Sequence, residues 1–274
     1  MSNLTDHLSD NPPQYRSFRP VYSKATYDLI YDYHKQKGGL FNVAVDIGTG
    51  TGQVATELAQ TFSHVHGTDL SEKMLESAVK GPNIDYQACS AEKLPFDDNS
   101  VDVITTAQAF HWFKHDDFFK EAKRVLKPQG TIAIIGYAFA RIKGSRNASE
   151  LVEKLGLETL GDYWDQGRVL VDNLYRDIPI PYANTDYYFS PEDADITNIG
   201  KITPKPIMEQ DMSLETFRSY IKTWSAYANY MKDHTEDPVD KMIEDMAVLL
   251  KTNKPEEHQI TVEWPAVLIL TTPE

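Results

Sequence analysis

The sequence predicts an α/β fold: a doubly wound, mostly parallel sheet that carries an inserted, mainly helical cap. Three observations predict it. Between Val43 and Tyr137, short apolar runs rich in β-branched residues alternate with helical patterns, as βαβ units with strands buried on both faces require. A glycine-rich turn joins the first run to its helix. From Ala138 to about Lys232 the alternation stops, which reads as an insertion.

The first unit carries the chemistry. Val43–Ile47 reads as a buried strand, Gly48, Gly50 and Gly52 as a tight turn, and Gln53–Gln60 as a helix. Such a turn brings backbone N–H groups and a helix start against a ligand. Asp69 ends the next strand, at the spacing of about 20 residues expected for an acid that accepts hydrogen bonds from a ribose diol. The glycines run G-x-G-x-G, not the G-x-G-x-x-G of dinucleotide sites, and no Gly-Lys-Ser/Thr follows. Asp46, just before the turn, would repel phosphate and attract an ammonium group. At these residues the chain resembles the class I S-adenosylmethionine-dependent methyltransferases, which implies S-adenosylmethionine as cofactor at Asp46, Gly48, Thr49, Gly50, Gly52 and Asp69.

Composition narrows the class. A chain of 274 residues suits one large domain or a core with a cap, and its 41% hydrophobic content is that of a soluble globule. The formal net charge of −14 argues against a nucleic-acid partner or an anionic membrane surface. Cys89, the single cysteine, permits no internal disulfide and reads as a small buried hydrophobe, consistent with a reducing compartment. The start of the chain has no apolar signal region and no run approaches 18 apolar residues, so cytoplasm and no membrane insertion are expected. A monomer or homodimer is expected.

In chain order, a helix is predicted over 21–37, with Tyr27, Ile30, Tyr31 and His34 on one face. Before it, Tyr15, Phe18 and Arg19 suit either packing and surface charge or a lid over the cofactor, and the family carries a similar Tyr and Arg-Pro approach. Ser71 is a cap for a helix over 72–80. Met74 on that helix suits core packing, whereas the resemblance implies adenine contacts for Leu70 and Met74. A third strand covers 84–89, and the loop Ser90-Ala91-Glu92 resembles the family's adenine-edge loop. Ser90 stands where relatives often carry Asp. Strands over 101–107 and 131–137 flank a helix over 114–126. The turn after the fourth strand contains Gln108, His111 and Trp112. Ligands bind beyond the carboxyl ends of parallel strands, so this turn is expected beside the methyl donor, and it resembles the His-Trp or Gln-Trp pair of small-acid methyltransferases. These three residues are the candidates to border the reaction.

Two cap segments, around Tyr163-Trp164 with Gly167-Arg168 and around Thr223-Trp224-Ser225-Ala226-Tyr227, resemble the fungal trans-aconitate methyltransferase family, a likeness that runs from Tyr15 to the final strand. The resemblance implies a sheet closed by an antiparallel pair, hence seven strands. Residues 1–40 form a lid and helix, 41–137 the cofactor core, 138–235 the substrate cap, and 236–274 a helix and strand completing the core. Within the C-terminal part a helix covers 238–251, and Gln259–Thr272 reads as a strand interrupted by Pro265 at an edge or bulge. In so acidic a protein an anionic acceptor needs local cations, and the cap supplies Arg141, Arg146, Arg168 and Arg218 near Tyr163, Trp164, Trp224 and Tyr227.

Methyl transfer from a sulfonium is an in-line displacement, so alignment and exclusion of water matter most. A carboxylate acceptor needs no base; a phenol, quinone or carbon acid would need one, with His111 the nearest candidate. The leading expectation is a methyltransferase acting on a small acid such as trans-aconitate. A non-catalytic cofactor-binding protein and a nicotinamide dehydrogenase compete with it. No Cys/His cluster has zinc spacing, and His64 and His66, alternating on a strand without further ligands, read as ordinary, so no metal is expected.

Overall fold

The computed structural model describes residues 18–190, 199–203 and 205–273. The strands are β1 (Val43–Ile47), β2 (His64–Asp69), β3 (Ile84–Ala88), β4 (Val101–Ala107), β5 (Leu126–Tyr137), β6 (Arg141–Ile142), β7 (Thr185–Ser190), β8 (Lys201–Ile202), β9 (Glu209–Ser213), β10 (Gln259–Glu263) and β11 (Ala266–Thr271). The helices are α1 (Lys24–Gln36), α2 (Gln53–Leu58), α3 (Glu72–Glu76), α4 (His115–Val125), α5 (Arg146–Lys154), α6 (Arg168–Asp172), α7 (Leu214–Ile221), α8 (Ser225–Asp233) and α9 (Pro238–Leu249). The fold is Rossmann-like, built on a central sheet with flanking helices.

That sheet has eight strands in the order β3-β2-β1-β4-β5-β11-β7-β8. The first five are parallel, β11 runs antiparallel between β5 and β7, and β8 pairs parallel with β7. β1 and β4 carry near-continuous apolar runs because both faces are covered, by α4 on one side and by α1 and α2 on the other. The expected strand limits held at β1 and β4; β5 begins earlier, at Leu126. Ser71 caps α3 by accepting from the Met74 N–H, and Ser213 caps α7 by accepting from Thr216.

Three expectations need correction. The sheet has an eighth strand because β7 and β8 come from the stretch 138–235 that was assigned wholly to the cap. Pro265 marks neither an edge nor a bulge. Beside it the chain leaves a second, three-stranded antiparallel sheet (β6-β10-β9) and enters the middle of the central one, where every residue of β11 is buried. Trp264, fully buried at this crossing, donates its indole N–H to Tyr220 Oη at 2.9 Å. Finally, α9 packs on α5 and α7, so of the stretch 236–274 only β11 joins the central sheet.

The cap therefore consists of α5, a π-helical turn at Leu155–Thr159, α7, α8 and α9 around its small sheet. α7 ends at Ile221, and Trp224 becomes the cap residue of α8. An aromatic seam of Phe139, Trp164, Trp224 and Tyr220 ties cap to core, with ring centroids 5.3 to 6.1 Å apart.

One buried charge holds the foot of β1. Asp102, 2% exposed, accepts from the Asn42 and Val43 N–H groups and from Lys127 Nζ at 2.8 and 2.9 Å. Removing the cation leaves a buried carboxylate with backbone partners only. Lys127→Met is expected to lower unfolding stability by about 1–3 kcal/mol in a denaturant titration. Asp102→Asn placed in the same chain should then cost far less than it does alone.

Candidate functional site

The carboxyl ends of β1, β2 and β4 open into a cavity of about 320 Å³. Its floor is the turn after β1, where Gly48, Gly50 and Gly52 take φ of 69°, 54° and 82°, left-handed values that glycine adopts without strain. A side chain at Gly48 would press on Ala109 Cβ at 2.4 Å, and one at Gly52 on Tyr86 Oη at 2.2 Å. The turn is thus closely packed at Gly48 and Gly52, and Gly48, Thr49, Gly50 and Thr51 line the cavity whereas Gly52 does not.

An acid stands on either side of it. Asp69 accepts backbone N–H bonds at both oxygens, from Gly50 and from Ser71, each at 2.9 Å, and each oxygen keeps a lone pair for a ligand hydroxyl. Asp46 is 2% exposed and accepts the hydroxyls of Thr49 at 2.6 Å and Thr105 at 2.7 Å. Burial pushes its carboxyl up to about 6, against the lowering by those hydroxyls, and Asp69 adds to the rise.

The walls bring together most of the expected cofactor residues: Arg19, Leu70, Met74, Ala91, Glu92 and Gln108. Ser90 is not among the lining residues, and Tyr15 lies outside the described ones. Cys89, expected in the core, is half-buried and lines the cavity, where burial raises its thiol pKa. Arg19 donates to Tyr137 Oη and to the Thr223 carbonyl, both at 3.1 Å, and so joins the N-terminal segment to the end of β5 and to the cap. Tyr137 was missed, although a polar residue at the carboxyl end of a parallel strand is a signal the sequence carried.

A second, smaller cavity of about 80 Å³ adjoins the first, and Arg19, Gln108, Trp112 and Tyr137 line both. Gln108, at φ 58°, spends its amide on the Tyr137 backbone, donating to the carbonyl at 2.8 Å and accepting from the N–H at 2.9 Å. It fixes the shared wall and has little left for a ligand. His111 faces only the smaller cavity, with Nδ1 3.1 Å from Tyr175 Oη. Burial, then the Arg168 guanidinium, then His115, push its pKa down to about 3, so the imidazole is neutral at physiological pH.

Of the cap residues expected around a substrate, Trp164, Arg168 and Trp224 line this smaller cavity. Arg168 lies between the rings of Phe139 and Trp164, at 4.1 and 4.5 Å, and is held by Asp172 at 2.7 Å. The other expected residues sit elsewhere. Arg218 is engaged by Glu215 and Asp240, Arg146 by Glu150, and Arg141 lies in β6 opposite Glu263. Tyr227 donates to Asp237 at 2.7 Å. Glu150 and Glu215 sit one turn from Arg146 and Arg218 on the same helices and are visible in line, whereas Asp237 and Asp240 come from the start of α9 and reach these groups only through the fold.

A methyltransferase-domain family profile matches residues 45–134. A Dictyostelium discoideum protein provisionally named a methyltransferase is 33% identical over 275 residues, covering 100% of this chain and 97% of its own. A Saccharomyces cerevisiae protein provisionally named an S-adenosylmethionine-dependent methyltransferase is 26% identical over 258 residues, covering 85% of this chain and 86% of its own. Among solved structures, a provisionally assigned type II methyltransferase from Anaeromyxobacter dehalogenans superposes with a TM-score of 0.73 at 27% identity, covering 93% of this chain and 98% of that one.

The chain therefore belongs to the class I S-adenosylmethionine-dependent methyltransferases. Its activity is methyl transfer and its cofactor S-adenosylmethionine. The cradle fits that cofactor: a glycine turn that lines the cavity accepts close approach, an acid with spare lone pairs can take a ribose diol, and a second buried acid suits a ligand that bears an ammonium group. No described helix is long and apolar enough to cross a membrane.

Gly52→Ala tests the packed underside of the turn. A Cβ forced into left-handed backbone against Tyr86 Oη should cost on the order of 1–3 kcal/mol of stability. Calorimetric titration should show weaker S-adenosylmethionine binding in the same variant.

Proposed function

We propose that this enzyme methylates a carboxylate oxygen of a small acid, of which trans-aconitate is the type, seated in the smaller cavity beneath the cap. The observation that carries the reading is Arg168. Of the four cap arginines singled out from the sequence, it is the one lining either of these two cavities, its side chain is only 18% exposed, and it stands next to the wall shared with the cofactor cavity. A buried guanidinium flanked by aromatic rings suits an anionic group and excludes water. Resemblance to the trans-aconitate methyltransferases points the same way.

In this reading Asp69 holds the cofactor's ribose and Asp46 provides a buried negative charge behind the turn for its ammonium group. Leu70, Met74, Ala91 and Glu92 border the adenine. The bound cofactor supplies a methyl group on a sulfonium, an already activated leaving group. The protein's task is then positional. Arg168 would fix one carboxylate of the acceptor, while Trp112 and the locked Gln108 wall would aim a free oxygen toward the neighbouring cavity.

His111 is a poor candidate for a general base. Its conjugate acid is held near 3, far from the range where proton abstraction is efficient, and Nδ1 faces a tyrosine hydroxyl. A phenol or carbon acid would lack a base here, whereas a carboxylate arrives ionised. We assign the enzyme to the cytoplasm on the same footing as the sequence does.

The buried Asp46 gives cofactor binding a distinctive pH signature. Its folded pKa of about 6 lies above the ordinary 3.8, so in the free protein its ionisation opposes folding, and its contribution to stability improves as pH falls through 6. A cationic ligand requires the ionised form, so affinity should change in the opposite sense. Titrations should give a flat dissociation constant above about pH 7 that weakens by up to roughly tenfold per unit below 6. Asp46→Asn should remove that dependence.

Arg168→Gln decides the acceptor class. With a small polyacid it should reduce kcat/KM by an amount equivalent to about 2–4 kcal/mol, and with the corresponding neutral ester by much less. Arg218→Gln, whose ion pairs lie away from the cavities, should leave both unchanged. His111→Asn should not remove a limb from the pH-rate profile. Normal activity of the Arg168 variant on the acid, or acceptance of uncharged substrates alone, would overturn the carboxylate reading.

A further inference from the structure

His64 and His66 stand two residues apart on β2, so both rings project from one face of the sheet. Their centroids are 4.4 Å apart. The parallel register of β2 with the edge strand β3 sets Asp85 beside His66, and Asp85 Oδ2 lies 3.0 Å from His64 Nε2. One ligand atom from each of the three residues falls within 4.8 Å of the others. Phe96 closes one side, its ring 4.8 Å from His66. None of these residues lines either cavity.

We propose that His64, His66 and Asp85 form a binding site for one divalent transition-metal ion of the zinc class, which clips the edge strand β3 to β2. Two imidazoles and one carboxylate are a borderline donor set that selects zinc, cobalt or nickel over magnesium and calcium. Tetrahedral bonds of about 2.0–2.2 Å place ligand atoms roughly 3.3 Å apart. The His64–Asp85 pair is already near that spacing, and rotation of the partly exposed side chains closes the rest. A plain His–Asp ion pair would account for His64 and Asp85 but not for His66. Among the described residues, no hydrogen bond engages the His66 ring nitrogens, which leaves them open to a metal. The net charge of −14 favours capture of a cation. The clip would also steady the strand that backs the glycine turn, because Tyr86, next to Asp85, packs against the sites where Gly52 and Gly67 lack a Cβ.

The test uses the untagged full-length chain after treatment with a chelator. Titration with Co²⁺ should give one equivalent of a visible ligand-field band, which Zn²⁺ then displaces while raising Tm; millimolar Mg²⁺ or Ca²⁺ should do neither. His66→Asn and Asp85→Asn should each weaken binding at least about tenfold. In chelator both variants should melt as the parent does, which separates loss of a ligand from loss of the fold. Asp85→Asn is the safer of the two, since its carboxylate is 73% exposed. An unaltered equivalent of bound Co²⁺ in a His64→Asn/His66→Asn chain, or binding only at millimolar metal, would mean an adventitious ion and overturn the proposal.

Discussion

The parallel register of β1 between β2 and β4 is the constraint on which the rest of the molecule depends. It sets Asp46 opposite Gly67 on one side and Thr105 on the other, so the buried carboxylate accepts the Thr105 hydroxyl on one flank, while on the other the Tyr86 ring fills the space a side chain at Gly67 would need. The same register brings the end of β2 alongside the turn, where Asp69 receives the Gly50 N–H. A slip of one residue would turn Asp46 to the opposite face of the sheet and dismantle the cradle. The bond between the Asp102 carboxylate and the first N–H groups of β1 holds the other end of that strand in place.

Placed on this scaffold, the cap is attached by aromatic packing and by one chain crossing. Trp264 and Pro265 pass the chain from the small sheet to the centre of the large one, and Tyr220 binds that crossing to α7. The smaller cavity is therefore walled by core and cap at once: Phe139 continues from β5 and Arg168 opens α6, which packs on β5, while Trp164 and Trp224 come from the cap. Its size and charge can vary with the cap while the cofactor cradle stays fixed by the sheet.

Electrostatics divides the two cavities. The cofactor side is lined by buried negative charge, whose cost of burial shows in the raised Asp46 carboxyl. The smaller cavity presents a guanidinium and a histidine kept neutral by its burial and by that guanidinium. A cationic methyl donor and an anionic acceptor would each meet the opposite sign, which brings the reacting atoms together without a proton transfer.

Much of this was legible in the sequence, because the strands of the core are local patterns. Hydrophobic runs, the glycine spacing and Asp69 at the next strand end specify a βαβ unit and its ligand within 27 residues of chain, from Val43 to Asp69. The cap was legible only as a break in that pattern. Thr185–Ser190 gave no sign that it pairs with β11, since the partner lies some 80 residues further on and pairing is decided by packing. Four cap arginines looked equivalent in sequence. Tertiary structure separated them, by placing Asp240 beside Arg218 and two aromatic rings beside Arg168. In the same way His64 and His66 acquired Asp85 as a neighbour only through strand register. Local backbone preference and hydrophobic period are properties of neighbouring residues and can be read in line. Where the partner of a charge lies on another element, contacts distant in sequence set it, and only the folded chain supplies it.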